Sequence, residues 1–354
     1  MEDKIISRHK RIIVRFLKVF LSEKTRQYSA VHQRWSRDVM GRLLEFTRRG
    51  KMIRGSLIIL AYQMFGKKIN QEVIKTAGAI ELFHSALLVH DDIMDNSALR
   101  RGKPAMHLQY QRLGEKEGFE KAGHFGMSSA LCAGDVIFLI TFELLSGLKI
   151  KEKQKEKIIR TFAQEMASVG LAQLSEMYLG YAARETSQRE IAAIYQYKTA
   201  RYTVSLPLML GALLAGQPQS IVKLLMKLGE YIGVIFQIRD DYLGLFGRES
   251  GIGKSVGVDI RENKKTFYYH FLFKRASPAQ KARLYKIFDR DKISQQQLRY
   301  VQKLIIELGV IEAVETRVSG YREQALKIIK QLKISQSYKK VLADLLGYMA
   351  DREK

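Results

Sequence analysis

The sequence holds a single cysteine, Cys132, one tryptophan and four prolines in 354 residues. One cysteine cannot close an internal disulfide, so no oxidised scaffold staples this chain, and no Cys/His cluster has zinc spacing. A reducing, cytoplasmic setting is the expectation. Acid is also scarce: 36 Asp+Glu stand against 60 Lys+Arg, a formal charge of +24. That balance suits an anionic partner without choosing among nucleic acid, membrane surface and phosphorylated substrate. No unbroken apolar run opens the chain. Arg8, His9, Lys10, Arg11, Arg15 and Lys18 interrupt Ile5 to Leu21, which excludes a signal-peptide core or a membrane span there. Residues 1–25 read as a basic amphipathic helix. The pattern is open to peripheral contact with anionic membrane but is commoner on a solvated face.

What the chain has in quantity is apolar residues, 46% of the total, enough for a substantial core. In Gln71 to His90, Ile150 to Leu179 and Ile221 to Leu243 they recur at spacings of three and four, without strand-like alternation. The reading is all-α. Breaks fall at Gly66-Lys67-Lys68, Gly102-Lys103-Pro104, Gly216-Gln217-Pro218, the glycine-rich run Gly244 to Gly257, and Ser277-Pro278. None is an interdomain linker, and there is no internal repeat. Residues 1–354 are therefore expected to form one domain, a bundle of roughly ten or more helices around a central cavity.

Two aspartate clusters stand out. In Asp91-Asp92-Ile93-Met94-Asp95 the first and last carboxylates are four apart, stacked on one helix face about 5.4 Å from each other. A solvated face is the ordinary explanation of such a string. Here the apolar stretch Leu82 to Val89 leads straight into it, so uncompensated charge would be costly and a hard cation would resolve the repulsion. Asp240-Asp241 closes a second apolar stretch, Tyr231 to Ile238, in the same way. Cations accompany both: Lys51 and Arg54 three apart, Arg100-Arg101 after the first cluster, Lys254 and Lys264 after the second. Bidentate and point-charge donors of this kind bind phosphate. Two carboxylate sets with phosphate binders are expected to form two walls of one magnesium and diphosphate site. Gly253-Lys254-Ser255 is not a P-loop, because Arg248 stands where the motif needs glycine and a helix precedes it.

The order Gly50-Lys51-x-x-Arg54, His84, DDxxD, Arg100-Arg101-Gly102-Lys103, Lys198-Thr199, Phe236-Gln237-x-x-Asp240-Asp241 and Lys254 to Lys264 resembles the trans-type isoprenyl diphosphate synthases, the polyprenyl synthetase family. The resemblance implies the isoprenoid synthase fold and head-to-tail condensation of isopentenyl diphosphate with an allylic diphosphate, releasing pyrophosphate. By position, Asp91, Asp95 and Asp240 would ligate three Mg²⁺ ions, with Asp92 completing the first cluster and Asp241 supporting the second. Arg100, Lys198, Lys254 and Lys264 would grip the allylic diphosphate, and Lys51, Arg54, His84 and Arg101 the isopentenyl diphosphate. Oxygen atoms near Lys198-Thr199 and Gln237 would stabilise the carbocation, while departing pyrophosphate takes the last proton. The family is usually homodimeric and works on small diphosphates, not nucleic acid.

Departures from the family pattern are Arg49 for the first glycine, Gly55 for the usual proline, Gly244 for a third aspartate, and Ala172-Gln173-Leu174-Ser175-Glu176 for GQxxD. The resemblance implies that the positions four and five before the first aspartate form the pocket floor, and here these are Leu87 and Ala86. Neither is aromatic, so growth should pass C15, at about one isoprene unit per 5.4 Å helical turn. Phe83 is the next candidate floor. The expected product is C20, with C15 or C25 and longer as alternatives. A terpene cyclase would need an Asn/Asp, Ser/Thr, Glu metal motif that Asp240-Asp241-Tyr242-Leu243-Gly244 lacks, and a non-catalytic partner subunit would have lost its aspartates.

Overall fold

A computed structural model describes residues 2–182, 186–247, 256–288 and 293–351. The chain is all-α apart from one two-stranded hairpin among the described residues, and it divides into two compact units. Unit 1 comprises Met1–Arg160 with Pro207–Gln217, and unit 2 comprises Thr161–Leu206 with Pro218–Lys354.

In unit 1, α1 (Glu2–Tyr28), α2 (Gln33–Arg48), α3 (Ile53–Gln63) and α4 (Gln71–Met94) are followed by β1 (Leu99–Arg100), β2 (Lys103–Pro104), α5 (Met106–Lys116) and α6 (Ala122–Ser146). The first turns of α7 (Glu152–Tyr181) and most of α9 (Leu206–Leu214) complete it. Asn70 starts α4 by accepting the Val73 N–H at 3.0 Å, satisfying an end donor that would otherwise go unpaired. Val73, Ala77, Ile80, Leu82 and Ala86 are buried on α4, which packs against α1, α3 and α6. Val73, Ile80 and Leu82 each contribute roughly 1.5–3 kcal/mol by leaving water. By length and composition α6 is the one described helix able to cross a membrane, with only 39% of its apolar window buried. Met127, Leu131, Val136 and Leu139 stay exposed on it.

Unit 2 is organised on α10 (Gln219–Phe246). Around it lie α8 (Gln188–Ile194), a π-helix (Tyr195–Ser205), α11 (Val258–Arg261), α12 (Phe267–Arg275), α13 (Pro278–Phe288), α14 (Gln295–Glu307), α15 (Val310–Gln331) and α16 (Gln336–Asp351). Phe267, Tyr268, Tyr269, Phe273 and Phe288 make an aromatic core against Ile238 and Leu245 of α10. Eleven residues of π-helix are a rare conformation that recurs at functional sites.

Candidate active site

In unit 1 the chemistry lies along one stripe of α4: Glu81, His84, Asp91 and Asp95, at intervals of three, seven and four. Asp91 and Asp95 are half-buried at the helix end, whereas Asp92 is fully buried. The Arg100 Nε donates to Asp92 Oδ1 at 2.7 Å and its Nη2 lies 3.6 Å from Asp91. Burial pushes the Asp92 carboxyl above its usual range, and the Arg100 guanidinium opposes that shift. Asp92 is thus an anchor for Arg100.

The hairpin explains how two adjacent arginines serve two places. Arg101 and Gly102 both have positive φ, 52° and 72°, the geometry of a two-residue turn whose twist matches its strands. Arg100 returns to α4, and Arg101 donates from Nη1 to the Phe46 carbonyl at 2.7 Å while lying over the Phe46 ring. Gly50 makes room for it: a Cβ there would sit 2.9 Å from Arg101 Nη2. His84, between these cations, is held neutral, its pKa well below the ordinary value through burial first and then the charges of Arg54, Arg101 and Arg100. Lys51, just before α3, is exposed.

The sequence reading missed Glu81. It is buried at 3% exposure and accepts the Gly55 N–H at 2.7 Å. Met52, the residue before α3, has φ 55° and supplies no side-chain cap. Glu81 therefore does from α4 what a local cap does elsewhere, and it fixes the turn that carries Arg54. Its signal was an acid inside an apolar helix, three residues before His84.

In unit 2 a ladder at four-residue spacing on α10 meets the π-helix. Added Cβ atoms at Gly229 and Gly233 would lie 2.4 Å from the Ser205 Cα and 2.3 Å from the Ala200 Cα, so these glycines set the closeness of the two backbones. One turn on, Gln237 Oε1 accepts the Thr199 hydroxyl at 2.7 Å, and its amide donates to Asp241 Oδ1 at 2.7 Å. Tyr195, also missed, donates its hydroxyl to Asp241 Oδ2 and accepts the Phe267 N–H at 3.2 Å. Asp241 is buried with both oxygens engaged, while Asp240 is exposed. Lys198 pairs with Glu176, and Lys264 with Glu262 at 2.7 Å. Lys254 lies outside the described residues.

Among the described residues no three His, Cys, Asp or Glu side chains converge into a closed metal cage. Unit 1 holds half-buried Asp91 and Asp95 at the end of α4 beside Arg100, and unit 2 holds the exposed Asp240 next to Asp241, which is buried and hydrogen-bonded to Tyr195 and Gln237, so that each unit carries an aspartate set. An all-α chain with two such sets is of the isoprenoid synthase class. The model of the polyprenyl synthetase family matches residues 34–305, and the chain belongs to that family. It is 31% identical over 250 residues to a short chain isoprenyl diphosphate synthase of Methanocaldococcus jannaschii, covering 71% of this chain and 70% of that one. To a geranylgeranyl diphosphate synthase of Methanosarcina mazei it is 26% identical over 304 residues, 86% of each chain. A geranylgeranyl pyrophosphate synthase from Corynebacterium glutamicum, solved with isoprenyl diphosphate and magnesium, superposes with a TM-score of 0.90 at 27% identity, covering 97% and 98%. As a member of this family the chain is a transferase, an isoprenyl diphosphate synthase.

Proposed function

We propose that the protein condenses isopentenyl diphosphate with an allylic diphosphate to an all-trans C20 diphosphate in a Mg²⁺-dependent reaction. The observation that carries this reading is the unit 1 stripe, in which Asp91 and Asp95 stand beside Arg100, and a neutral His84 lies among Arg54, Arg101 and Arg100. The donors are hard oxygens, half-buried and incomplete as a cage, which fits Mg²⁺ completed by water and substrate phosphate. Asp91 and Asp95 would hold metal in unit 1 and Asp240 in unit 2, three ions in all by the family pattern. Bound there, Mg²⁺ neutralises the leaving pyrophosphate.

The chain's own groups do the rest. Arg54, Arg101, Lys51 and His84 hold isopentenyl diphosphate, and a neutral imidazole does so without adding charge beside the growing cation. Arg100 is presented by Asp92, Lys198 by Glu176 and Lys264 by Glu262, as grips for the allylic diphosphate, with Lys254 as a fourth. The Thr199 hydroxyl spends its hydrogen on Gln237, which leaves oxygen lone pairs as the polarity available to a carbocation.

Ala86 and Leu87 leave the pocket floor without an aromatic side chain there, and Phe83 packs 4.5 Å from Phe138 and 6.3 Å from Phe142, centroid to centroid. This aromatic cluster supports a floor one turn beyond the C15 position. The exposed apolar face of α6 supports a homodimer, and the exposed stripe Arg8, Arg11, Arg15 and Lys18 on α1 supports peripheral contact with anionic membrane from the cytoplasmic side. Incubation of the purified protein with labelled isopentenyl diphosphate, farnesyl diphosphate and Mg²⁺ tests the reaction. The expected result is a C20 product that EDTA abolishes and that Asp91→Ala lowers by about 10²–10³-fold. Failure to elongate any allylic starter overturns the reading.

A further inference from the structure

A second concentration of positive charge in unit 1 shares no residue with the aspartate stripe. A cleft of about 450 Å³ is lined by Lys67, from the turn after α3, by Lys151, Lys153, Gln154 and Lys157 around the start of α7, and by the end of α9 from Leu213 to Gln217. Its four lysines are exposed, and none is paired with a carboxylate among the described residues. The acids nearby in sequence are already engaged: Glu72 with Lys75, Glu152 with Lys155, Glu156 with Arg160. No Asp or Glu occurs in Pro207–Gln217, so no acid lines the cleft from α9.

The floor is built, not incidental. Gln154 donates its amide to the Leu213 carbonyl at 2.6 Å and to that of Leu214 at 3.1 Å, tying α7 to the end of α9. Gly216, at φ 74°, then turns the chain away and leaves the lysines converging. Lys153 and Lys157 are four apart on one helical face, where like charges oppose each other. A multivalent anion spanning them removes that repulsion, and lysine ammoniums bind phosphate as point charges.

We propose that this cleft is a second anion site, for a ligand with two or more phosphate groups. The chemistry is shared by a soluble polyphosphate and by a clustered phospholipid headgroup surface, and the experiment separates them. The full-length protein, in EDTA so that metal-dependent phosphate binding is absent, is acetylated at lysine with and without inorganic tripolyphosphate, and with phosphatidylglycerol or phosphatidylcholine vesicles. Modification is read lysine by lysine by mass spectrometry. At a ligand concentration several times Kd, modification of Lys67, Lys151, Lys153 and Lys157 should fall roughly fivefold, because only unliganded protein reacts. The exposed Lys116 and Lys121 should not change. In Lys153→Gln/Lys157→Gln, which removes both charges and keeps an unbranched polar side chain, Lys67 and Lys151 should lose their protection while melting temperature holds. Protection by tripolyphosphate assigns a soluble ligand, and protection by phosphatidylglycerol vesicles alone assigns a headgroup. Either supports the site. No protection by any probe, or protection spread equally over Lys116 and Lys121, overturns it.

Discussion

Replacing Gly233 by alanine reverses the usual sign of a glycine substitution. In an ordinary helix interior Gly→Ala stabilises by about 0.5–1 kcal/mol. At Gly233 the new Cβ would lie 2.3 Å from the Ala200 Cα, 2.7 Å from its Cβ and 3.0 Å from its carbonyl oxygen. Two of these atoms are backbone, so no rotamer change relieves them, and the π-helix must retreat by roughly 1 Å to restore carbon–carbon contact. Overpacking of this kind costs about 1–3 kcal/mol, which outweighs the helix gain and leaves a net loss of about 1–2 kcal/mol. Melting temperature should fall by about 1–3 °C. Gly170 on α7, with no atom within 4 Å of an added Cβ, is the control, and Gly170→Ala should raise it slightly. Thr199 adjoins Ala200, and a retreat of that size takes its hydroxyl beyond hydrogen-bond range of Gln237. A misplacement on this scale should lower kcat by about 10²-fold, measured by single-turnover product formation. A Gly233→Ala protein as stable and as fast as Gly170→Ala refutes the ladder as the device that positions Thr199.

Glu81→Ala leaves the Gly55 N–H buried without its acceptor, at a cost of about 1–3 kcal/mol, and should raise KM for isopentenyl diphosphate more than it lowers kcat; an unchanged KM removes Glu81 as the residue that positions Arg54. His84 has a folded pKa well below its ordinary 6.5, so on mild acidification the unfolded chain binds the extra proton, and stability falls as pH drops below about 6.5. His84→Gln should flatten part of that slope in melting curves between pH 7 and 5, and an identical slope rejects the assignment. Phe83→Ala should lengthen the product beyond C20, read by chromatography, whereas unchanged chain length excludes Phe83 as the floor.

Much of the scaffold was legible because amphipathic periodicity survives folding directly. The stretches Gln71 to His90, Ile150 to Leu179 and Ile221 to Leu243 became α4, α7 and α10 within a few residues at each end. Glycine and proline punctuation marked real ends, as at Gly216, which precedes α10, and Pro278, which starts α13. The π-helix was not legible, since shifting hydrogen bonds from i−4 to i−5 leaves apolar spacing almost unchanged over a few turns. Nor were the partners of the site residues. Tyr195 and Asp241 are separated by 46 positions and Glu81 and Gly55 by 26, and composition carries no trace of a pairing at that range. The sequence displayed the candidate site residues, while partners such as Glu81 and Tyr195 emerged only with the fold.

The four departures from the family pattern show how such supports take up change. Arg49, where a small residue is usual, swings to Glu45, with its Nε 2.9 Å from Oε1, and Gly50 beside it alone provides the space for Arg101. Gly55 replaces a proline, and only a residue with an N–H there can donate to the buried Glu81 carboxylate; a proline returned here would take away one of the two backbone donors, at 54 and 55, that tie Glu81 to α3. Glu176 is one methylene longer than the usual aspartate, yet its carboxylate meets Lys198, so the longer reach is absorbed by a flexible partner. Gly244 gives up a side-chain carboxylate, and its carbonyl accepts the Gly257 N–H at 2.9 Å, so that position serves the backbone. It follows that Gly244→Asp should add little to catalysis, whereas Gly55→Pro should be among the most damaging single changes in unit 1, because it deletes a donor to a buried acid and puts a Cβ 2.9 Å from the Ala77 carbonyl oxygen.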